Sequence, residues 1–202
     1  MLLGDTQSTV ASARFIAETA SNVAIALSSV VVAILAILGF NAWKRRMRFE
    51  VARRLVRLGK QFANEVQEAR RPLGSSAESA GRARSDAETP PEAAALDQRY
   101  AYMRRLEPSA MTLRDLRQAS WEAEASLKID LSTSIQSFIA IHNKMTLAAE
   151  KRYLLSKGLE LTPEEHKELL MTLYGPAPGG DRITEELDEA QSGLEKKLKR
   201  FI

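Results

Sequence analysis

The stretch NVAIALSSVVVAILAILGFNAWKRRMR, from Asn22 to Arg48, decides how this chain is read. No acidic or basic side chain lies between Glu18 and Lys44, so Thr19 to Trp43 is a run of 25 uncharged residues. Val23 to Phe40 is almost wholly Val, Ile, Leu and Ala. A helix of roughly 20 such residues crosses a hydrocarbon core about 30 Å thick, while runs of about 10–14 belong to buried core helices. Residues 22–43 are therefore expected to form a transmembrane helix. A cleaved signal peptide does not fit. Its leading segment would be basic and its apolar run shorter, whereas here the basic cluster follows the run. A retained anchor is expected.

The flanks set the orientation. Residues 1–22 hold one basic side chain, Arg14, against Asp5 and Glu18. Residues 44–60 hold eight basic side chains against Glu50 alone. Basic residues beside a span stay on the cytoplasmic side. Residues 1–21 are thus expected outside, as a short extracytoplasmic tail, and the bulk of the chain inside. Phe40 and Trp43 suit the interfacial aromatic belt, and Lys44, Arg45, Arg46 and Arg48 are expected to touch lipid headgroups. The formal net charge is +3 and the pI about 9.2. The excess sits next to the span, so the expected partner is the lipid bilayer, with no nucleic acid. Within the span, Ala26, Ser29, Ala33 and Ala36 recur at spacings of 3, 4 and 3. Small residues on one face let two membrane helices approach closely, although so many Ala in one span produce such stripes by composition alone.

The 159 residues after the span suffice for one modest domain. The chain has no Cys, which excludes disulfides, thiolate metal sites and Cys nucleophiles. Abundant Ala, Leu, Glu and Arg point to an all-α body. Residues 44–71 read as a basic amphipathic juxtamembrane helix that continues the span. Met47, Val51, Leu55, Leu58, Phe62, Val66 and Ala69 form one apolar stripe at spacings of 3 and 4, and Gly59 alone interrupts it. The stripe either lies on the inner leaflet or packs against later helices. Its length, and the gathering of basic residues at its membrane end, favour packing.

Residues 72–91 are expected to be a disordered linker, since no large apolar residue lies between Gly74 and Ala95. Residues 92–202 form the cytoplasmic helical region. Thr89-Pro90-Pro91-Glu92 and Thr162-Pro163-Glu164-Glu165 both read as helix starts, with Thr at the N-cap, Pro at the first helical position and Glu at the third. A helix from Glu92 should end at Leu106, before Pro108. A second should run from Ser109 or Thr112 to Lys157, bent near Ser120 and stopped by Gly158. Its apolar side chains wrap more than one face, so it must be covered on two sides. The cover is either the chain's own helices or another copy. The expected assembly surface is Leu131, Ile135, Phe138, Ile139 and Met145. Asp181 caps a last helix with an apolar stripe from Ile183 to Phe201, acidic early and basic late, as the helix dipole favours. A sharper reading lets Lys196 to Ile202 touch the membrane.

No catalytic constellation emerges. Gly179-Gly180 lacks the downstream Gly and Lys of a phosphate loop. His142, at helical spacing with Ile135, Ile139 and Met145, reads as a hydrogen-bonded core histidine. His166 lacks a second His, and no Glu-x-x-His pair exists for a carboxylate metal site. No enzyme activity, cofactor or metal is expected.

Trp43-Lys44-Arg45-Arg46, followed by Phe49-Glu50-Val51-Ala52-Arg53-Arg54-Leu55, resembles a group of uncharacterised bacterial single-pass inner-membrane proteins. They share a Trp-Lys-Arg membrane exit and a Glu-x-Ala-Arg-Arg-Leu helix. The likeness is clear over about residues 40–71 and fainter over 100–150. It implies topology and helicity, and no activity.

The expected fold is all-α, with a single N-terminal transmembrane helix continuing into a cytoplasmic helical bundle or coiled coil. The expected location is the bacterial inner membrane, N-terminus outside. The expected function is a non-enzymatic membrane-anchored scaffold or accessory subunit, acting as a homo-oligomer or as a subunit of a membrane complex. The alternative is a membrane-acting effector or pore component that oligomerises through Ala26, Ser29, Ala33 and Ala36.

Overall fold

The structure is a computed structural model that describes residues 4–72, 76–175 and 181–202, with side-chain surroundings at 18, 19, 21–72, 78–175 and 181–202. Parts of the expected linker (73–75) and of the loop before Asp181 (176–180) lie outside the described residues. Among the described residues the chain is all-helical, without strands. Five α-helices follow in order: α1 Gly4–Ala69, α2 Pro90–Leu127, α3 Ser132–Leu155, α4 Pro163–Tyr174 and α5 Arg182–Leu198. Short 3-10 turns occupy Ser76–Ser79 and Lys199–Phe201. The chain divides into two units, Met1–Met47 and Arg48–Ile202, with α1 contributing to both.

In the first unit the backbone is helical from Gly4, so residues 4–21, read as a tail, carry regular structure. Residues 21–47 are all exposed. One helical stretch, Ser21–Ala69, includes a window long and apolar enough to cross a membrane, and no residue of that window is buried. Ser28 Oγ and Ser29 Oγ donate to the carbonyls of Ala24 and Ile25, each at 2.8 Å. Their hydroxyls are thereby satisfied within the helix, as an apolar surrounding requires.

The second unit has its own core. α3 sits at its centre, packed on α2, α4 and α5 and meeting α1 through an edge-to-face contact of Phe138 with Phe62, ring centroids 5.5 Å apart. The juxtamembrane stripe is part of this core: Leu55, Phe62, Val66 and Ala69 are buried, and Val51 and Leu58 pack against them partly covered. α5 lays Ile183, Leu187, Ala190, Leu194 and Leu198 into the same core, on one face by their spacing of 3 and 4.

Two boundaries differ from the sequence reading. α2 runs through Pro108 without a break. Proline removes one N–H and frees the carbonyl four residues back. Arg104 and Pro108 both lie on the exposed side of α2, so the freed carbonyl need not be buried without a partner. The break falls at 128–131, beyond Ser120. Lys128 adopts a left-handed conformation, φ 55° and ψ 50°. Glu124 then accepts from the Leu131 N–H at 2.9 Å, and Asp130 accepts from the Ser132 N–H at 2.9 Å. Two carboxylates thus serve the orphan donors that open α3.

Thr89 precedes Pro90 at the start of α2 but makes no side-chain cap hydrogen bond; other local signals act as written. At Thr162 both halves of a capping box are formed. Gly158, at φ 92°, ends α3. Its N–H bonds Leu155 O at 3.2 Å and the Leu159 N–H bonds Leu154 O at 3.0 Å, the two bonds of a Schellman motif.

Candidate functional site

The residues singled out from sequence fall in three places. Ala26, Ser29, Ala33 and Ala36 are exposed in the first unit, as are Lys44, Arg45 and Arg46. Arg48, at the start of the second unit, is half-covered, and its Nε is buried without a hydrogen-bond partner. Leu131, Ile135, Phe138 and Met145 are buried in the core of their own chain, and Ile139 is packed against it partly covered. The chain's own helices therefore already occupy the face expected to meet a second copy. That expectation rested on α3 being apolar on more than one side, a pattern that cannot distinguish an intramolecular cover from an intermolecular one.

His142 is half-buried on α3. Its Nδ1 lies 3.4 Å from Ser109 Oγ and its ring centroid 6.5 Å from that of Phe62. Burial lowers its pKa below the ordinary histidine value, so the neutral ring is favoured. It borders an open cleft of about 600 Å³ between α2 and α3, with Tyr100, Arg104, Glu107 and Thr146 on the walls. Among the described residues, no three His, Asp or Glu side chains group closely enough to hold a metal ion.

Comparison adds no assignment. No family model, no curated protein and no solved structure matches the chain.

Two ionic clusters went unread in the sequence. Arg70, the residue after α1, is 1% exposed. Its Nη1 and Nη2 engage both Asp181 oxygens, Nη2 to Oδ1 at 2.7 Å. Nε donates to Thr172 O at 2.9 Å and Nη2 to Met171 O at 2.7 Å. One guanidinium thus ties the end of α1 to the last carbonyls of α4 and to the N-cap of α5. A cation at a helix C-terminus and an anion at a helix N-terminus both suit the dipoles. Burial alone would raise the Asp181 pKa. Hydrogen bonds from Arg70 and Thr184, with the Arg70 charge, outweigh it and hold the carboxyl below its usual range. The other cluster ties the expected linker to α2. Arg82 donates through Nε to Asp97 at 2.6 Å and through Nη2 to Glu88 at 2.7 Å. The hydrogen bond from Arg82 is the main cause that lowers the Glu88 pKa to about 2. A lone Asp after a Gly-rich loop was legible as a cap, but its partner 111 positions away was not.

Proposed function

We propose that this protein is a non-enzymatic, single-pass membrane-anchored scaffold or accessory subunit that holds a folded helical unit at a membrane surface. Residues 22–43 span the bilayer, the N-terminus faces out, and Arg48–Ile202 lies in the cytoplasm. The bacterial inner membrane is the setting that the resemblance of residues 40–71 implies. One observation carries the reading. Residues 21–47 leave every side chain of a long apolar run exposed, whereas the second unit fills its core from its own helices. Contiguous exposed apolar surface of that size belongs against lipid or a partner, not water. With Ile135 and Phe138 committed to the core, association draws on the outer surface of the unit.

The reading is tested by alkaline extraction of membranes and by a reporter fused after Ile202. Retention in the membrane with a cytoplasmic reporter is expected; release into the soluble fraction refutes it. Light scattering on the detergent-solubilised protein, beside a fragment beginning at Lys44, then separates the functional classes. The same particle state for both keeps association in the helical unit. Association of the full chain alone favours the second reading, an effector or pore component working through the span. Its motivating feature is the exposed face of Ala26, Ser29, Ala33 and Ala36, and Leu replacements at Ala33 and Ala36 should then abolish association.

A further inference from the structure

Antiparallel packing brings two basic segments to one end of the second unit. α5 runs against α1: Arg70 binds Asp181, Gln67 Nε2 donates to Thr184 Oγ1 at 2.7 Å, and Lys60 pairs with Glu195 at 3.3 Å. Continuing that register sets the last turn of α5 and Lys199–Phe201 beside the early part of the same α1 segment. α2 follows the same course, from Gln61 on Thr112 at 3.2 Å to Arg54 on Glu122 at 3.2 Å. Lys197 Nζ donates to Asp130 O at 3.0 Å, which ties the α2–α3 turn to the same end.

By that register Arg48, Arg53 and Arg57 of α1 and Lys196, Lys199 and Arg200 near the end of the chain lie toward this end. None of the six makes an ion pair among the described residues. Most acidic groups near them are engaged: Glu122 by Arg54, Glu195 by Lys60, Glu124 by the Leu131 N–H, Asp130 by Ser132. Glu50 and Asp115 are exposed and make no ion pair among the described residues. At the opposite end Arg70, Arg82 and Arg105 are each paired with a carboxylate, whereas Arg104 and Arg152 make no ion pair among the described residues. The helix dipole accounts for cations in the last turn of α5. It gives no reason for arginines in the interior of α1, and gathering like charges costs stability unless something anionic meets them. Apolar side chains accompany the charge. Ile202 is 57% exposed, and the Arg200 guanidinium lies 4.7 Å from the centroid of the Phe201 ring. In sequence, Arg48 follows Trp43 by five residues.

We propose that this end of the helical unit is a docking face for an anionic membrane surface, with Lys196, Lys199 and Arg200 on lipid phosphates and Ile202 at the headgroup boundary. The proposal rests on the membrane reading above, because the span is what holds this end near lipid. Docking would make the bilayer a third side of the unit and fix its orientation, which a flexible tether would leave free.

The full chain has no Cys, so single labels report cleanly. A fluorophore attached through I202C, and a reference attached through D86C near the paired end, are followed with the protein in nanodiscs carrying headgroup-bound nitroxide quencher. Quenching of the I202C label is expected in phosphatidylglycerol discs and not in phosphatidylcholine discs. It should vanish at about 1 M salt, where the screening length falls to about 3 Å. K196Q, K199Q and R200Q should each lower the docked-to-undocked ratio roughly fivefold, matching about 1 kcal/mol per basic residue at an anionic surface. The D86C label should not respond. Equal quenching in both lipids, no quenching at I202C, or a response only to added nucleic acid or soluble acidic protein overturns the docking face. A chain that does not incorporate into discs at all defeats the membrane reading too; one that spans the disc with an unquenched label defeats only this inference.

Discussion

Replacing Arg70 by Met should cost the helical unit about 4 kcal/mol, near the middle of the range for removing one partner of a buried ion pair. The size follows from what the side chain does. At 1% exposure it satisfies both Asp181 oxygens and two carbonyls at the end of α4, Met171 and Thr172. The Met variant leaves an uncompensated carboxylate beside two carbonyls short of a donor, each such buried group costing about 1–3 kcal/mol. These costs overlap and do not add. Asp181→Asn keeps an oxygen to cap α5 but halves the match to the guanidinium. The double variant should therefore lose less than the two single losses combined, with a coupling of about 0.5–3 kcal/mol. Urea unfolding in mild detergent, followed by helical circular dichroism, measures all three. The pH dependence adds a sign. The Asp181 pKa is lower in the folded protein than its ordinary 3.8, so the stability it contributes is present above that value and lost as pH falls through the folded one. The wild type should weaken more steeply on acidification in that window than the double variant, which keeps only the acid sensitivity of the remaining paired carboxylates such as Glu88 and Asp97. An R70M loss below about 1 kcal/mol, the worth of a surface pair, or strictly additive losses, would refute this account.

Other consequences are as direct. Phe138→Ala should cost about 3–5 kcal/mol by opening a cavity against Phe62, and Ile135→Glu should unfold the second unit while leaving membrane retention intact; a folded, merely dissociated I135E protein would restore the assembly-surface reading. Glu124→Ala should cost about 1–2 kcal/mol by stranding the Leu131 N–H, and Glu124→Gln should recover most of it because an acceptor oxygen remains; equal losses would remove the carboxylate from the turn. A Cβ on Gly59 would overlap Gln191 Oε1 and stand 3.2 Å from Leu194 Cδ2, so Gly59→Leu should destabilise by about 1–3 kcal/mol through overpacking, and unchanged stability would deny the close approach of α1 and α5. The folded His142 pKa is depressed by burial, so stability is full above the ordinary 6.5 and declines as pH falls below it; His142→Phe should flatten that loss, and an identical profile would show that the ring is not desolvated.

Local grammar carried much of the fold. The capping box at Thr162, the Schellman stop at Gly158 and the Asp181 cap are each built from residues within five positions of one another, which is why they were legible. The turn at 128–131 was local too, but its signal was two carboxylates and a left-handed Lys128, with neither Gly nor Pro to mark it. Pro108 misled in the other direction, because its rule assumes that the freed carbonyl has nowhere to turn, and on an exposed face it need not be buried.

By itself the sequence determined the helical class, the 25-residue uncharged run and the sign of charge on either side of it, because periodicity, apolar length and flanking charge are properties of neighbours along the chain. Only the tertiary structure decided that the apolar faces of α3 are covered by the chain's own helices, that Arg70 reaches Asp181, and that the basic parts of α1 and α5 meet at one end. Hydrophobic burial is non-directional and takes whichever apolar surface packs best. The partner of a buried face or a buried charge is therefore set by how the helices pack, which no pattern within a single helix encodes.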